Sequence, residues 1–444
     1  MSRTTSLQAA IATKTASVVV VGMGYVGLPV ACAFGALHFS VTGLDCDEER
    51  VQTLLQGRTF IHGKEPHLAE LWQGLFLAGQ VTATLDYSVC HTADVIIVAV
   101  QTPVESLSDK PDYSALSSAI LSIGQQLKPG TLVIIESTLA PGTMNQVVCP
   151  GLETISRLRN DEDFYLVHCP ERLTPGNLLR SLVTRPRVVG GSEEATALAQ
   201  VFYKHLVIAK LDVTDWVTAE TVKVAENAYR DVQIAFANEL AMICEAVGVD
   251  IWEARQLINK APYRDVHLPG AGVGGGCLPK DPLLLVHSSA QHLRLIQAAR
   301  EVNDGMPGHI ADRAIEFLKR RGIDAKTAKV VVLGQAYLEN LSDDRNSPTC
   351  RLVTRLVCRG VDDVTVHDPY VEGYQGDWLE MIQGSDALIV MVAHDTYKAI
   401  QLADILPHVA TPILIDGRRV FGDQDTAKWD YYCVGDGNTV PDKT

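Results

Sequence analysis

The sequence predicts an α/β protein with two Rossmann-like, doubly wound parallel-sheet domains that are joined by a helical central domain. Short apolar runs typical of buried strands alternate with helical patterns over residues 17–189. A similar succession of strand-like runs returns over residues 329–416. Between them, residues 213–247 show a helical pattern without Gly or Pro, long enough to connect two domains or to form a dimer contact.

Composition excludes several classes of protein. The 444 residues carry 38 Lys and Arg against 53 Asp and Glu, a formal charge of −15, which argues against non-specific binding to nucleic acid or to anionic membranes. The 10 Cys are scattered without a CxxC pair, so we expect no metal site and a reduced, cytoplasmic setting. With 47% hydrophobic and 20% charged residues, the chain is expected to be a soluble enzyme.

These patterns divide the chain into four segments. Residues 1–15 contain no continuous apolar run and are expected to be a flexible N-terminal tail. Residues 16–210 are expected to form the first Rossmann domain, residues 211–325 the central helical domain and residues 326–444 the second Rossmann-like domain. The strands predicted in the first domain are Ser17–Val21, Ser40–Leu44, Asp94–Val100, Thr131–Ile135, Tyr165–His168 and Arg187–Val189. Functional turns follow most of them, at the edge where doubly wound sheets bind ligands.

A glycine-rich turn follows the first predicted strand. Gly22, Gly24 and Gly27 form a GxGxxG pattern between a strand and a helix, which is the context that binds a pyrophosphate at a helix N-terminus. Asp45 ends the second strand, where its carboxylate can accept hydrogen bonds from a ribose 2′-OH but would repel a 2′-phosphate. The pattern therefore favours NAD over NADP; the alternative is a structural turn without a ligand.

A second glycine-rich segment runs from Gly272 to Pro282 and contains Cys277. It places a thiol beside Lys280 and Asp281, and a nearby ammonium favours the reactive thiolate. The alternative is a small cysteine in a tight structural loop.

The long predicted helix carries Lys223 and Asn227 one turn apart, so the two side chains share a face. Glu171 lies in the Pro-containing turn 170–176 and is a candidate acid or base if it enters a cleft. The ordinary interpretation of each is a solvated side chain.

The last third of the chain repeats the first in outline. Strands are predicted in Lys329–Gly334, Asp363–Asp368, Ala387–Val392 and Pro412–Asp416. Only Gly334 stands where the first domain has three glycines, so a second dinucleotide site is the less favoured interpretation. A nucleoside diphosphate remains an open alternative.

These motifs together resemble those of the UDP-glucose/GDP-mannose dehydrogenase family over residues 16–430. The resemblance rests on GMGYVG at 22–27, Thr102-Pro103, Glu136-Ser137-Thr138 with Pro141-Gly142-Thr143, PERLTPG at 170–176, Lys223 with Asn227, GGGCLPKDP at 274–282 and DRNSP at 344–348. It implies an NAD-dependent enzyme that oxidises the C6 alcohol of a nucleotide sugar to a carboxylate, a four-electron reaction that consumes two NAD+. The first domain would then bind NAD and the third the nucleotide sugar.

The resemblance also assigns roles to individual residues. The implied catalytic residues are Cys277, which would form a thiohemiacetal and then a thioester, with Lys223, Asn227, Asp281, Glu171 and Thr138. The implied NAD contacts are Gly22, Gly24, Tyr25, Val26, Gly27, Asp45, Arg50, Thr102, Thr138 and Lys280. The implied substrate contacts are Arg172, Leu173, Lys223, Asn227, Arg264, Gly274, Arg345 and Arg418.

Within the family, residues 226–235 and 267–270 are most similar to members that oxidise UDP-N-acetylmannosamine. The chain departs from that pattern at Gly276, where a His is usual, at Leu338, where a Lys is usual, and at Tyr263, which shifts Arg264 by one position. We therefore expect a UDP-N-acetylhexosamine, with UDP-N-acetylmannosamine first and UDP-N-acetylglucosamine or UDP-glucose as alternatives.

Two further interpretations stay open. A two-electron dehydrogenase of the β-hydroxyacid type would share the Rossmann domain and the Lys/Asn pair but would need neither Cys277 nor the second Rossmann-like half. A regulator that binds NAD or a nucleotide sugar without turnover would keep the fold, and Gly276 and Leu338 are the features that allow it. In all three cases the long helix predicts a homodimer, because an apolar face of that length must be covered.

Overall fold

A computed structural model describes residues 3–61, 65–105, 108–289 and 293–437. Their contacts divide the chain into two compact units, residues 1–226 with 283–291 and residues 227–282 with 292–444. The boundary falls inside the long helix, so the three-domain division remains a prediction. The first two residues of the expected tail and residues 438–444 of the expected last domain lie outside the described residues.

The first unit is built on a sheet with the strand order β3-β2-β1-β4-β5-β6-β7-β8. Its strands are β1 (Ser17–Val21), β2 (Ser40–Leu44), β3 (Val81–Thr84), β4 (Val95–Val98), β5 (Leu132–Ile135), β6 (Tyr165–His168), β7 (Arg187–Gly191) and β8 (Leu211–Thr214). The helices before the long helix are α1 (Arg3–Ala12), α2 (Gly27–Ala36), α3 (Glu48–Leu55), α4 (Leu68–Leu77), α5 (Ser114–Gln126), α6 (Cys149–Ser156), α7 (Leu178–Thr184) and α8 (Glu193–Tyr203).

The strands from β3 to β6 pair in parallel, which confirms the predicted Rossmann-like arrangement. The runs β1, β4 and β5 are apolar and buried on both faces, as a sheet covered by helices on both sides requires. Because parallel strands end at one edge, the turns after β1, β2, β5 and β6 share that edge.

One pair departs from the predicted all-parallel sheet. Strands β6 and β7 are antiparallel, with Val167 opposite Gly191. Gly191 suits this close pairing, because a Cβ added there would lie 3.1 Å from the Leu166 carbonyl oxygen. The weakly apolar strands β3 and β8, which the pattern did not predict, complete the edges of the sheet.

The N-terminal segment is a helix, so the expectation of a flexible tail is wrong for residues 3–12. Leu7 and Ile11 lie one turn apart on α1 and are buried in the same apolar cluster as Leu198 and Phe202 of α8. Arg3 adds an ion pair with Asp163 at 3.0 Å. The i,i+4 spacing of Leu7 and Ile11, with Ala10 beside them, therefore docks α1 on the core, although the segment has no continuous apolar run.

The long helix α9 (Trp216–Val247) runs from the first unit into the second. The helices that follow are α10 (Ile251–Ile258), α11 (Asp281–His287), α12 (Arg294–Arg320), α13 (Pro348–Cys358), α14 (Trp378–Met381), α15 (Asp395–Lys398) and α16 (Leu402–Ile405). The second sheet has the parallel order β10-β9-β11-β12-β13. Its strands are β9 (Lys329–Leu333), β10 (Asp363–His367), β11 (Ala387–Val390), β12 (Ile413–Asp416) and β13 (Asp430–Cys433).

Helix α12 continues through Pro307. An interior Pro costs a helix roughly 3 kcal/mol. Here Met306, Pro307 and Ile310 are all buried, so the packing of that face compensates for the missing hydrogen bond. Gly272 of the cysteine loop lies against the proline, since a Cβ added to it would approach Pro307 to 3.1 Å.

Truncation of Ile11 tests the docking of α1. We expect Ile11→Ala to lower the free energy of unfolding of the first unit by about 2–4 kcal/mol, because it empties a fully buried site. Gln8→Ala, on the exposed face of the same helix, should change it by less than about 0.5 kcal/mol. Calorimetric unfolding measures both, and equal midpoints for the two variants would show that α1 is not docked.

Candidate active site

The turn after β1 has the geometry of a dinucleotide turn. Gly22 has φ +91°, and a Cβ there would meet the Ala99 carbonyl oxygen at 2.7 Å. At Gly27 a Cβ would lie 1.9 Å from the Gly22 oxygen, whereas at Gly24 it would meet no atom within 4 Å. The first and third glycines are therefore required by the fold. The second leaves open space at the start of α2, where a pyrophosphate could approach Tyr25, Val26 and the helix N-terminus.

Asp45 follows β2 and is 4% exposed. It accepts hydrogen bonds from Met23 N at 2.7 Å, from Asp47 N at 3.0 Å and from Arg50 Nη1 at 2.9 Å. The carboxylate is thereby held beside the glycine turn, as the NAD prediction requires. Arg50 also lies over the Phe60 ring, 4.9 Å from its centre.

Thr102 and Thr138 meet at the same edge of the sheet. The Thr102 hydroxyl donates to the Thr138 carbonyl oxygen at 2.6 Å, and both residues are buried. This bond joins the turn after β4 to the loop after β5. The two residues that the resemblance assigned to one cofactor site are thus in contact.

Lys223 of α9 binds Glu171 in the loop after β6. Its Nζ donates to the Glu171 carbonyl oxygen at 2.7 Å and to Oε1 at 3.0 Å, and both side chains are less than a tenth exposed. Burial raises the pKa of Glu171, but the charge of Lys223 and the Leu173 N–H outweigh it and hold the pKa below its usual value. The Glu171 carboxyl group is therefore ionised at neutral pH.

His168 lies immediately before this loop and is fully buried. Its Nδ1 is 3.0 Å from the Ile135 carbonyl oxygen and so must carry the proton, while Nε2 has no hydrogen-bond partner among the described residues. The pKa of His168 is lowered to about 3, mainly by burial and in smaller part by the charge of Lys223, while the hydrogen bond to Ile135 opposes the shift. The ring is therefore neutral at physiological pH.

Arg172, a predicted substrate contact, is engaged within the first unit. Its guanidinium pairs with Glu226 and donates to the Pro186 carbonyl oxygen at 2.7 Å. Leu173 follows, and its N–H binds the Glu171 carboxylate. These contacts fix the shape of the loop that carries Glu171.

In the second unit, hydrogen bonds hold the cysteine loop, residues 272–282. Lys280 N and Asp281 N donate to the Cys277 carbonyl oxygen at 3.0 and 2.8 Å, and Cys277 is exposed. Asp281 is fully buried, and its Oδ2 accepts from Asn227 Nδ2 at 2.6 Å. Lys280 Nζ lies 3.2 Å from Asp281 Oδ1. Four of the predicted site residues are therefore neighbours.

The glycines of this loop are required by their surroundings. Cβ atoms added at Gly274 and Gly275 would approach Tyr337 to 2.7 Å, and Gly275 has φ +90°. Gly275 N donates to the Arg345 carbonyl oxygen at 2.8 Å, and Asn346 donates to the Gly275 carbonyl oxygen at 3.0 Å. The segment containing Arg345 thus supports the cysteine loop.

Gly276 lies close to the guanidinium group of Arg345. A Cβ on Gly276 would lie 3.2 Å from Arg345 Nη1, so the guanidinium lies where a side chain at position 276 would begin. Asp343 orients that guanidinium through contacts of 2.9 Å to Nε and 2.6 Å to Nη2. The usual His at position 276 would therefore require Arg345 to move.

Arg418 also contacts the glycine-rich loop. Its Nη2 donates to the Gly272 carbonyl oxygen at 3.1 Å and its Nε to the Met391 carbonyl oxygen at 2.9 Å. Arg264 lies apart from these residues: it is exposed, and its Nη1 donates to the Pro262 carbonyl oxygen at 3.2 Å in its own loop. Within the second unit, the structure places Arg345 and Arg418 against the loop but not Arg264.

The second sheet repeats the glycine turn of the first, but the acidic residue beside that turn has different surroundings. Gly334 N donates to the His367 carbonyl oxygen at 2.8 Å, just as Gly22 N donates to that of Leu44 at 2.8 Å. Asp368 is the counterpart of Asp45 and is fully buried. Its carboxylate accepts hydrogen bonds from five donors, which are the N–H groups of Gln335, Ala336, Tyr370 and Val371 and Nε2 of His394. A carboxylate has about four lone-pair sites, so a ribose would find none open. The occupied carboxylate of Asp368 therefore argues against a second dinucleotide site.

Comparison with known proteins places the chain in a family. Residues 16–207 match the NAD binding domain of the UDP-glucose/GDP-mannose dehydrogenase family, residues 217–305 its central domain and residues 331–423 its UDP binding domain. A protein named UDP-N-acetyl-D-mannosamine dehydrogenase from Pyrococcus horikoshii is 37% identical over 404 residues, which cover 91% of this chain and 95% of the relative. The chain belongs to the UDP-glucose/GDP-mannose dehydrogenase family.

Other relatives and solved structures agree. A protein named NDP-N-acetyl-D-galactosaminuronic acid dehydrogenase from Ralstonia nicotianae is 35% identical over 394 residues, covering 85% of this chain and 91% of its own. The solved structure of UDP-D-ManNAc dehydrogenase from Pyrococcus horikoshii superposes with a TM-score of 0.91 at 35% identity, covering 95% of this chain and all of that one. The protein is thus an NAD-dependent UDP-sugar dehydrogenase by family, with an NAD-binding first domain. Among the described residues, no helix is long and apolar enough to cross a membrane.

Proposed function

We propose that this enzyme oxidises the C6 alcohol of a UDP-N-acetylhexosamine, UDP-N-acetylmannosamine first among them, to the uronic acid through a covalent intermediate on Cys277. The observation that carries the proposal is the cysteine loop: an exposed thiol whose backbone is anchored by Lys280 and Asp281, with Asp281 bound to Asn227. A two-electron dehydrogenase has no need of such a loop.

The acetamido sugar is supported by the relatives. The two relatives described above act, by their names, on nucleotide-linked N-acetylated hexosamines. Their aligned residues are 37% and 35% identical to this chain. UDP-N-acetylglucosamine and UDP-glucose are the alternative substrates, because Gly276 and Leu338 depart from the acetamido-sugar pattern.

The residues would divide the chemistry as follows. Gly22–Gly27 and Asp45 would hold NAD+, which would supply the hydride acceptor for each of the two oxidations. In the first, the C6 alcohol loses a hydride and a proton and becomes an aldehyde. The Cys277 thiolate then adds to the aldehyde carbon, and the resulting thiohemiacetal loses a second hydride and a proton to become a thioester. Water cleaves the thioester, which releases the carboxylate and restores the thiol.

The charged side chains would serve the anions formed in these steps. The Lys223 ammonium would stabilise the oxyanion of each tetrahedral intermediate. Asn227 and Asp281 would hold the C6 oxygen or the attacking water, and Thr138 with Glu171 would assist proton transfer. Lys280 would favour the thiolate of Cys277. Arg345 and Arg418, which border the glycine-rich loop, would bind the nucleotide sugar.

A substrate panel tests this function. Purified enzyme is given NAD+ with UDP-N-acetylmannosamine, UDP-N-acetylglucosamine, UDP-glucose or GDP-mannose, and NADH is measured per sugar consumed. We expect two NADH per UDP-N-acetylmannosamine. One NADH per sugar would indicate the two-electron reaction, and tight binding without NADH would indicate a regulator.

Replacement of the cysteine tests the covalent step in the same assay. Cys277→Ser should lower turnover by at least about 100-fold, because an alcohol is a far weaker nucleophile than a thiolate. Cys358→Ser, a change of another exposed cysteine, serves as the control and should retain full activity. Full turnover of the Cys277 variant would rule out the thioester mechanism.

We also propose that the protein is a homodimer that pairs through α9. Large apolar side chains recur on one face of that helix at intervals of about two turns: Tyr229, Phe236 and Ile243 are 66%, 55% and 55% exposed, and Val247 extends the stripe. A stripe of this length in a soluble protein favours a partner helix. A cytoplasmic location stays a prediction.

Light scattering tests the dimer. The wild-type protein should have twice the mass of one chain, and Phe236→Asp should shift it towards the mass of one chain, since the charge would be buried in the contact. Val357→Asp alters an equally exposed apolar residue of α13 and should leave the mass unchanged. Monomeric wild-type protein would contradict the proposal.

A further inference from the structure

The loop after β5, residues 138–144, is held by hydrogen bonds along its length. Thr102 binds the Thr138 carbonyl oxygen, and the Tyr113 hydroxyl accepts from Ala140 N at 3.0 Å. The Thr143 hydroxyl donates to the Ala140 carbonyl oxygen at 2.6 Å. These contacts hold the first part of the loop, which begins at Thr138.

Glu220 of α9 holds the other end. Its Oε2 accepts from Gly142 N at 2.6 Å and its Oε1 from Met144 N at 2.7 Å. These two N–H groups lie at the start of a π-helical turn, Met144–Val148, which leads into α6 and has no side-chain cap of its own. A carboxylate suits this position because it accepts both N–H groups and faces the positive end of the helix. Wide helical turns of this kind are rare and occur often at functional sites.

The burial of Glu220 is costly. The residue is fully buried, and burial raises the pKa of Glu220 to about 7 even though the two N–H groups lower it. Asp215, the residue immediately before α9, adds a repulsive charge, and Tyr113 lies near the Glu220 carboxylate. No cation pairs with Glu220 among the described residues. The two backbone hydrogen bonds therefore offset a desolvation penalty that no neighbouring cation in the described part of the chain relieves.

Glu220 lies one turn before Lys223 on the same face of α9. The first side chain fixes the loop after β5 and the second fixes the loop after β6, through Glu171. We propose that Glu220 is a positioning residue that sets the place of the Thr138 loop relative to Lys223. This rests on the proposed function, in which Thr138 and Lys223 act on the same substrate.

The test replaces Glu220 by Gln. The amide keeps the shape of the side chain but has one acceptor oxygen, and its NH2 group would face the second backbone N–H. We expect kcat to fall about 10–100-fold, as for a misplacement of roughly 1 Å, while the KM for NAD+ stays within about twofold. Glu301→Gln makes the same change at an exposed position of α12 and should leave kcat and KM unchanged.

Hydrogen exchange of the amides in residues 139–144 provides a readout that does not depend on turnover. Exchange there should become faster in Glu220→Gln than in Glu301→Gln, while exchange in β5 stays slow in both. Unchanged exchange would overturn the anchoring, and faster exchange with normal kcat would overturn the positioning role. If wild-type protein yields no NADH with any nucleotide sugar, the proposed function fails by itself, and the exchange result alone decides whether Glu220 anchors the loop.

Discussion

The site in the first unit depends on one buried interaction, the contact of the Lys223 ammonium with Glu171. An ammonium in the interior loses its hydration and persists only if oxygen atoms replace the lost water. Glu171 supplies two of them, a carbonyl oxygen and a carboxylate oxygen, at 2.7 and 3.0 Å. The neutral His168 beside the pair adds no second positive charge. The arrangement keeps a cation at the edge of a sheet where anionic oxygens would develop during the proposed oxidation.

Helix α9 carries this cation and sets the positions of its neighbours. Glu220 and Lys223 each bind a loop that follows a strand of the first sheet, and Asn227 binds Asp281 of the cysteine loop within the second unit. Within the first unit, a helix fixes the spacing of Glu220 and Lys223 better than a loop would, because its backbone is fully hydrogen-bonded. In the proposed function, this acidic chain, with a charge of −15, would bind its anionic ligands through a few oriented cations and not through a positive surface.

Much of this could be predicted from the sequence, and for identifiable reasons. Gly22, Gly27 and Gly275 are visible in the sequence because each meets a steric limit that only glycine satisfies. Apolar strands and the long helix are visible through their periodicity. Glu220 was missed because a glutamate on a helix looks like a solvated side chain until its distant partners, Gly142 and Met144, are known. The docked α1 was missed for a similar reason: its buried core contacts are Leu7 and Ile11, with Ala10 partly buried beside them.

A double-mutant cycle tests most directly whether the contact of Lys223 with Glu171 creates the site, with kcat measured for Lys223→Met, Glu171→Gln and the combined variant. If the two side chains work as one unit, the combined variant should lose no more activity than the worse single variant, as is found for residues that act together in catalysis. Losses that multiply would show that Lys223 and Glu171 act independently, and would contradict the claim that their contact creates the site.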